Sequence, residues 1–95
     1  MAAYCIFEVT FSDRGWRREY VPPTLELIAK HGGKPLAGAE PEKLEGDRAA
    51  PTMVILIEFP TVEAAKAWYN DPEYKPLAAL RLSHSGGEGL VVKGI

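Results

Sequence analysis

The chain has 95 residues, 46% of them hydrophobic and 25% charged, with a formal net charge of −2. That suffices for one compact domain and leaves no room for a second core, while the acidic balance argues against a nucleic-acid partner, which needs a basic face to neutralise phosphates. No apolar run approaches the roughly 20 residues of a bilayer-spanning helix. No basic segment precedes the apolar start Tyr4-Cys5-Ile6-Phe7, and the lone Cys5 can form no internal disulfide. A cytoplasmic protein without a membrane partner is expected.

Tyr4 to Phe11 is rich in β-branched and aromatic types and reads as a first strand. One face carries Cys5, Phe7, Val9 and Phe11, the other Tyr4, Ile6, Glu8 and Thr10. Cys5 in such a run is a small core hydrophobe. Asp13 is placed to cap a helix whose face carries Trp16 and Tyr20 at i, i+4 spacing. Pro22 and Pro23 lack the N–H of an intrahelical bond and are expected to interrupt it. A second helical half from Pro23 to His31 then buries Leu25, Ile28 and Ala29 and ends at Gly32-Gly33.

Lys34 to Ala39 and Glu42 to Glu45 read as short, interrupted edge strands, followed by a turn at Gly46-Asp47-Arg48. Thr52 to Phe59 is the strongest strand: Met53, Ile55, Ile57 and Phe59 alternate with Thr52, Val54, Leu56 and Glu58. Thr61 caps the next helix, on which Val62, Ala65, Trp68 and Tyr69 recur at helical spacing. Asn70-Asp71-Pro72 breaks that helix and starts another, with Asp71 as cap and Pro72 as its first residue, running to about Ser83. Ser85-Gly86-Gly87 is a loop, and Gly89 to Lys93 the last strand.

This order gives an α+β class: a ferredoxin-like βαββαβ sandwich with an antiparallel sheet, its helices on one side. The first and third strands are expected at the centre, adjacent and parallel to each other. Both are apolar on both faces, so the helices leave Ile6, Val54 and Leu56 bare on the other. Soluble monomers rarely show such a patch, and a second copy of the chain is the simplest cover.

Six segments carry a family resemblance: Tyr20-Val-Pro-Pro-Thr24, Lys30-His-Gly-Gly-Lys34, Leu44-Glu-Gly-Asp47, Ile57-Glu-Phe-Pro60, Ala64-Ala-Lys-Ala-Trp-Tyr69, and Asp71-Pro-Glu-Tyr74 with Arg81. Together they resemble the family called domain of unknown function 1330, over essentially the whole chain. The resemblance implies a dimeric α/β barrel and a homodimer. It brings no established reaction. The wider relatives of that barrel include cofactor-free monooxygenases, isomerases, dehydratases and haem enzymes, among which the fold does not choose.

Glu8 and Glu58 are the leading candidates for general acid or base work. Each stands among apolar neighbours on the face a dimer would enclose, near the end of its strand, where desolvation raises a carboxyl pKa. Pairing with a basic group is the structural alternative for both. His31 is a weaker catalytic candidate, because a histidine at a helix C-terminus is already stabilised in its charged form; His84 ends a helix in the same way. Arg81 is placed to hold a substrate carboxylate or to pair internally with Glu58 or Asp47. Trp16 and Tyr20 are candidates for a pocket mouth, and Asp47 for either a site or a turn. Trp68, Tyr69 and Tyr74 read as core. There is no metal-ligand spacing, phosphate loop or nucleophile elbow, and no cofactor is expected.

Two functions compete. One is a cofactor-free enzyme or binding protein acting on a small aromatic or carboxylated metabolite inside the barrel. The other is a non-catalytic dimeric module whose sheet face is filled by packing. A large enclosed cavity favours the first, a sheet face filled by side chains the second.

Overall fold

The computed structural model describes residues 1–95. The elements are β1 (Ala3–Thr10), α1 (Arg17–Lys30), β2 (Lys34–Ala39), β3 (Met53–Phe59), α2 (Val62–Tyr69), α3 (Lys75–His84) and β4 (Gly86–Lys93). One four-stranded sheet has the order β2-β3-β1-β4, and every neighbouring pair is antiparallel. This is the expected α+β, ferredoxin-like architecture with β1 and β3 central.

The expectation that β1 and β3 run parallel is wrong. A helical crossover returns β2 in the direction of β1, and the turnback into β3 reverses it. The register pairs Tyr4 with Glu58 and Glu8 with Val54. The two glutamates therefore stand at opposite ends of the central ladder, about 13 Å apart at ~3.3 Å per residue.

Strand alternation sorts the side chains. Cys5, Phe7, Val9, Met53, Ile57 and Phe59 are buried beneath the helices, whereas Tyr4, Ile6, Glu8, Val54, Leu56 and Glu58 are half-buried on the open face. The helices supply Leu27, Ile28, Ala65, Trp68, Tyr74 and Ala78 to the same core. Trp68 is its centre, with ring centroids 4.5 Å from Tyr74, 5.5 Å from Phe59 and 5.9 Å from Phe7.

The first helix is continuous through Pro22 and Pro23, contrary to the expected break. Its buried stripe is Tyr20, Thr24, Leu27 and Ile28, which is i, i+4, i+7, i+8 spacing. Packing of that stripe outweighs two lost intrahelical bonds. The same phase turns Leu25 and Ala29 outward, so they are not the buried residues expected. Asp13 caps the turn before the helix: its Oδ1 accepts from Gly15 N at 2.9 Å.

Residues 40–52 contain no strand, so the expected pairing of Glu42–Glu45 is absent. Ladder pairing of β2 with β3 ends at Ala39–Val54, and Leu44 beyond it is 99% exposed. The last strand begins earlier than expected, at Gly86. Gly87 there has φ +132°, and a Cβ on it would lie 1.8 Å from the Glu8 carbonyl oxygen. Only glycine fits that approach.

Thr61 caps α2 as expected, its Oγ1 accepting from Ala64 N at 3.0 Å. Thr61→Ala is expected to lower stability by about 1 kcal/mol, read as a shift of the urea midpoint at constant slope. An unchanged midpoint would mean the cap is idle. No helix is long and apolar enough to cross a membrane.

Candidate functional site

A hollow of about 290 Å³ lies between α1 and the sheet. Val21, Leu25, Ile28, Met53, Ile55 and Ile57 give it apolar walls, and Tyr20, Thr24, Trp68 and Arg81 bring polar groups to it. Four buried side-chain atoms in the protein have no hydrogen-bond partner: Trp16 Nε1, Thr24 Oγ1, Trp68 Nε1 and Arg81 Nε. Three of the four belong to residues of this one hollow. Each buried, unsatisfied polar atom costs about 1–3 kcal/mol. The three residues line one hollow, although the unsatisfied atoms themselves are packed out of contact with solvent.

Arg81 is the decisive group. It is 8% exposed and has no carboxylate within ion-pair distance; the ion pairs of the protein are Lys30–Asp71, His31–Asp71 and Arg48–Glu8. Its guanidinium lies over the Phe7 ring at 5.3 Å from the centroid. The Tyr20 and Tyr74 hydroxyls stand beside it and share a hydrogen bond of 2.5 Å. Burial works against the charge on Arg81, the neighbouring Tyr74 and Tyr20 outweigh it, and the guanidinium pKa lies above its ordinary value. Burial likewise pushes the Tyr74 hydroxyl well above the usual tyrosine range, so it remains a neutral donor. The result is a buried cation beside two tyrosine hydroxyls, with no carboxylate partner.

At the far end of α1, Asp71 is 6% exposed and gathers five hydrogen-bond partners. Its Oδ2 lies 2.8 Å from His31 Nε2 and 3.0 Å from Lys30 Nζ, and its Oδ1 accepts from Glu73 N at 2.9 Å. Its main-chain oxygen accepts from Tyr74 N and Lys75 N at 2.9 and 3.2 Å. Asp71 therefore caps a turn that precedes α3, and the helix starts at Lys75, not at Pro72 as expected. It also staples that turn to the end of α1. The His31 hydrogen bond first, then Glu73 N–H and Lys30, hold its carboxyl well below the ordinary 3.8.

A depressed folded pKa gives stability that is full above the unfolded value and lost as pH falls through the folded one. The wild type should therefore lose more stability than Asp71→Asn between about pH 5 and pH 2. At neutral pH, Asp71→Asn should lower the melting temperature by roughly 5 °C or more. Parallel acid titrations of the two proteins would contradict the staple.

The candidates read from sequence fall in several places. Tyr20 and Arg81 meet at the hollow. Trp16 packs behind Tyr20, between it and Phe11, rather than at the mouth. His31 is bound to Asp71. Glu8 pairs with Arg48 at 2.7 Å, and Glu58 accepts from the Tyr4 hydroxyl at 3.3 Å, both on the open sheet face. Asp47 lies in the exposed 40–52 segment. Arg81 pairs with neither Glu58 nor Asp47. Sequence reasoning did not single out Thr24, and it treated Tyr74 and Trp68 as core alone. The seven-residue spacing of Tyr74 and Arg81 already placed hydroxyl and guanidinium on one helical face in the sequence, and the structure keeps them together. No three His, Cys, Asp or Glu side chains cluster as metal ligands.

The antiparallel sheet and its helix layer define an α+β protein of ferredoxin-like fold. The chain belongs to the DUF1330 family, a domain of unknown function, whose model matches residues 2–95. Among solved structures, it is similar to a protein of unknown function from Rhodopseudomonas palustris: TM-score 0.75, 17% identity, 99% of this chain and 82% of that one. It is also similar to SnoaB, a cofactor-independent oxygenase from Streptomyces nogalater: TM-score 0.71, 13% identity, 99% and 93% covered. A dimeric ferredoxin-like protein of unknown function from a Jannaschia species follows, with TM-score 0.67, 15% identity, and 97% and 96% covered. None of the curated proteins matches the chain.

Proposed function

We propose that this protein binds, and without a cofactor transforms, a small aromatic or carboxylated metabolite in the hollow between α1 and the sheet. The observation that carries this reading is the buried Arg81, whose charge has no internal partner and whose Nε is unsatisfied. A ligand carboxylate would supply that partner as a charge-assisted, bidentate pair. An aromatic ring would fill the apolar space beside Ile55, Ile57 and Trp68. Tyr20, whose hydroxyl is held by Tyr74, would hydrogen-bond the anion. SnoaB is described as a cofactor-independent oxygenase, which supports chemistry of this kind on such a fold and names no substrate here.

The same reading makes the working unit a homodimer joined through the open sheet face. Ile6, Val54 and Leu56 are half-buried there, and Leu90, Val92 and Leu36 are 59%, 50% and 44% exposed. That is a contiguous apolar surface of the kind partners cover. Glu8 and Glu58 would then belong to the interface rather than to the ligand.

Calorimetric titration with benzoate and with its uncharged isostere benzamide tests the ligand reading. Benzoate should bind at least about tenfold more tightly, the worth of one charged hydrogen-bonded pair. Equal affinities, or binding of neither, would remove the role given to Arg81.

A further inference from the structure

A second hollow, of about 250 Å³, lies on the other side of Arg81, between α2 and β4. It shares Phe7 and Arg81 with the first, and those two side chains form the wall between them. Its other charged residue is Lys66, and it is lined by no Asp or Glu. In a chain with 13 acidic and 11 basic residues, an acid-free hollow holding two cations selects for an anion. Lys66 has no ion-pair partner. Asn70 receives Lys75 Nζ on Oδ1 at 3.4 Å, which leaves its amide N–H groups to donate.

The rest of the hollow is aliphatic. Leu82 is 57% exposed beside it, and Val91, which pairs with Cys5 on the helix side of the sheet, completes the wall. Cys5 forms part of the floor, and burial pushes its thiol up, so it stays protonated and apolar. Gly89 is fixed by the same arrangement: a Cβ there would lie 2.4 Å from Phe7 Cε1. Without side chains at Gly87 and Gly89, the β4 backbone leaves the floor open. Two cations and exposed aliphatic carbon around one hollow match a molecule with a charged head and a short hydrocarbon tail.

We propose that this hollow is a second ligand site that takes a short-chain aliphatic carboxylate, its headgroup between Lys66 and Arg81 and its tail along Leu82 and Val91. It shares the Arg81 guanidinium with the site under α1, so the two ligands would compete for it, but it stands whether or not that site binds an aromatic acid.

The test is a titration of the ¹⁵N-labelled protein with butyrate, followed by amide chemical shifts. Lys66 belongs to this hollow alone and Arg17 to the other alone, so Lys66→Met and Arg17→Met separate the two. Butyrate should move the signals of Asn70, Gly87, Gly89 and Val91 along saturable curves. Lys66→Met should weaken binding by about threefold or more, and Arg17→Met should leave it within about twofold. Three results would overturn the proposal: shifts confined to Val21, Thr24 and Gly38, an unaltered affinity in Lys66→Met, or no saturation by about 50 mM. Failure of benzoate to bind under α1 would leave the butyrate result intact.

Discussion

Arg81→Met is expected to make the protein more stable while it abolishes binding of an aromatic carboxylate. Methionine keeps the length and apolar stem that pack on Phe7 and removes a buried cation that has no counter-ion. Replacing a buried, incompletely satisfied charge by a hydrophobe of similar volume gains about 1–3 kcal/mol. For a domain of this size that is a rise in melting temperature of roughly 5 °C or more. Benzoate affinity should fall by at least about tenfold, since the charged, forked donor is gone. Arg81→Lys should fall between, keeping the charge but losing the planar fork. A gain in stability coupled to a loss of binding marks a residue retained for function. A melting temperature that falls in Arg81→Met would show instead that the guanidinium holds Tyr20 and Tyr74 together.

Val54→Asp carries the largest expected effect on assembly. Val54 is half-buried on the open face, directly opposite Glu8 across the β1–β3 ladder. A carboxylate there would face a like charge and, in the dimer, lose its water. The dimer dissociation constant should rise by roughly a hundredfold or more, ~3 kcal/mol, while the monomer stays folded. Light scattering should read a dimer mass for the wild type and a monomer mass for the variant at micromolar concentration. A wild-type monomer, or a variant dimer of unchanged affinity, would contradict the proposed interface.

The strand alternations were legible because period-2 patterning reports burial directly. Met53, Ile57 and Phe59 point under the helices, and Val54, Leu56 and Glu58 away, as their spacing requires. The direction of β3 relative to β1 was not in the pattern. It follows from connectivity, and misjudging it placed Glu8 and Glu58 at one end of the sheet. The continuity of α1 was hidden for a different reason. Two prolines are a strong local signal, but the buried stripe Tyr20, Thr24, Leu27, Ile28 that overrides them exists only against the sheet.

The site was legible in part. Arg81 and Tyr20 were chosen for their chemistry, one as a carboxylate anchor and the other as an aromatic near an opening, and both line the hollow. Glu58 was chosen by the same logic, as a charge among apolar residues, and it stands on the open face where it was expected, away from the hollow and with the Tyr4 hydroxyl as partner. The sequence shows which residues are polar in apolar surroundings but not which of them lack a partner. Asp71 illustrates the converse, since its cap signature was visible but the 2.8 Å bond to His31, forty residues earlier, was not. Unsatisfied atoms such as Thr24 Oγ1 and Trp68 Nε1 are properties of packing alone.

The most direct test is to follow the side-chain Nε–H signal of Arg81 while ¹⁵N-labelled protein is titrated with benzoate. A binding site under α1 requires that signal to shift downfield and saturate together with the amides of Tyr20 and Thr24, while the amides around Glu58 stay still. Saturable shifts around Glu58 with an unmoved Arg81 would place the ligand on the sheet face and contradict the assignment of the site.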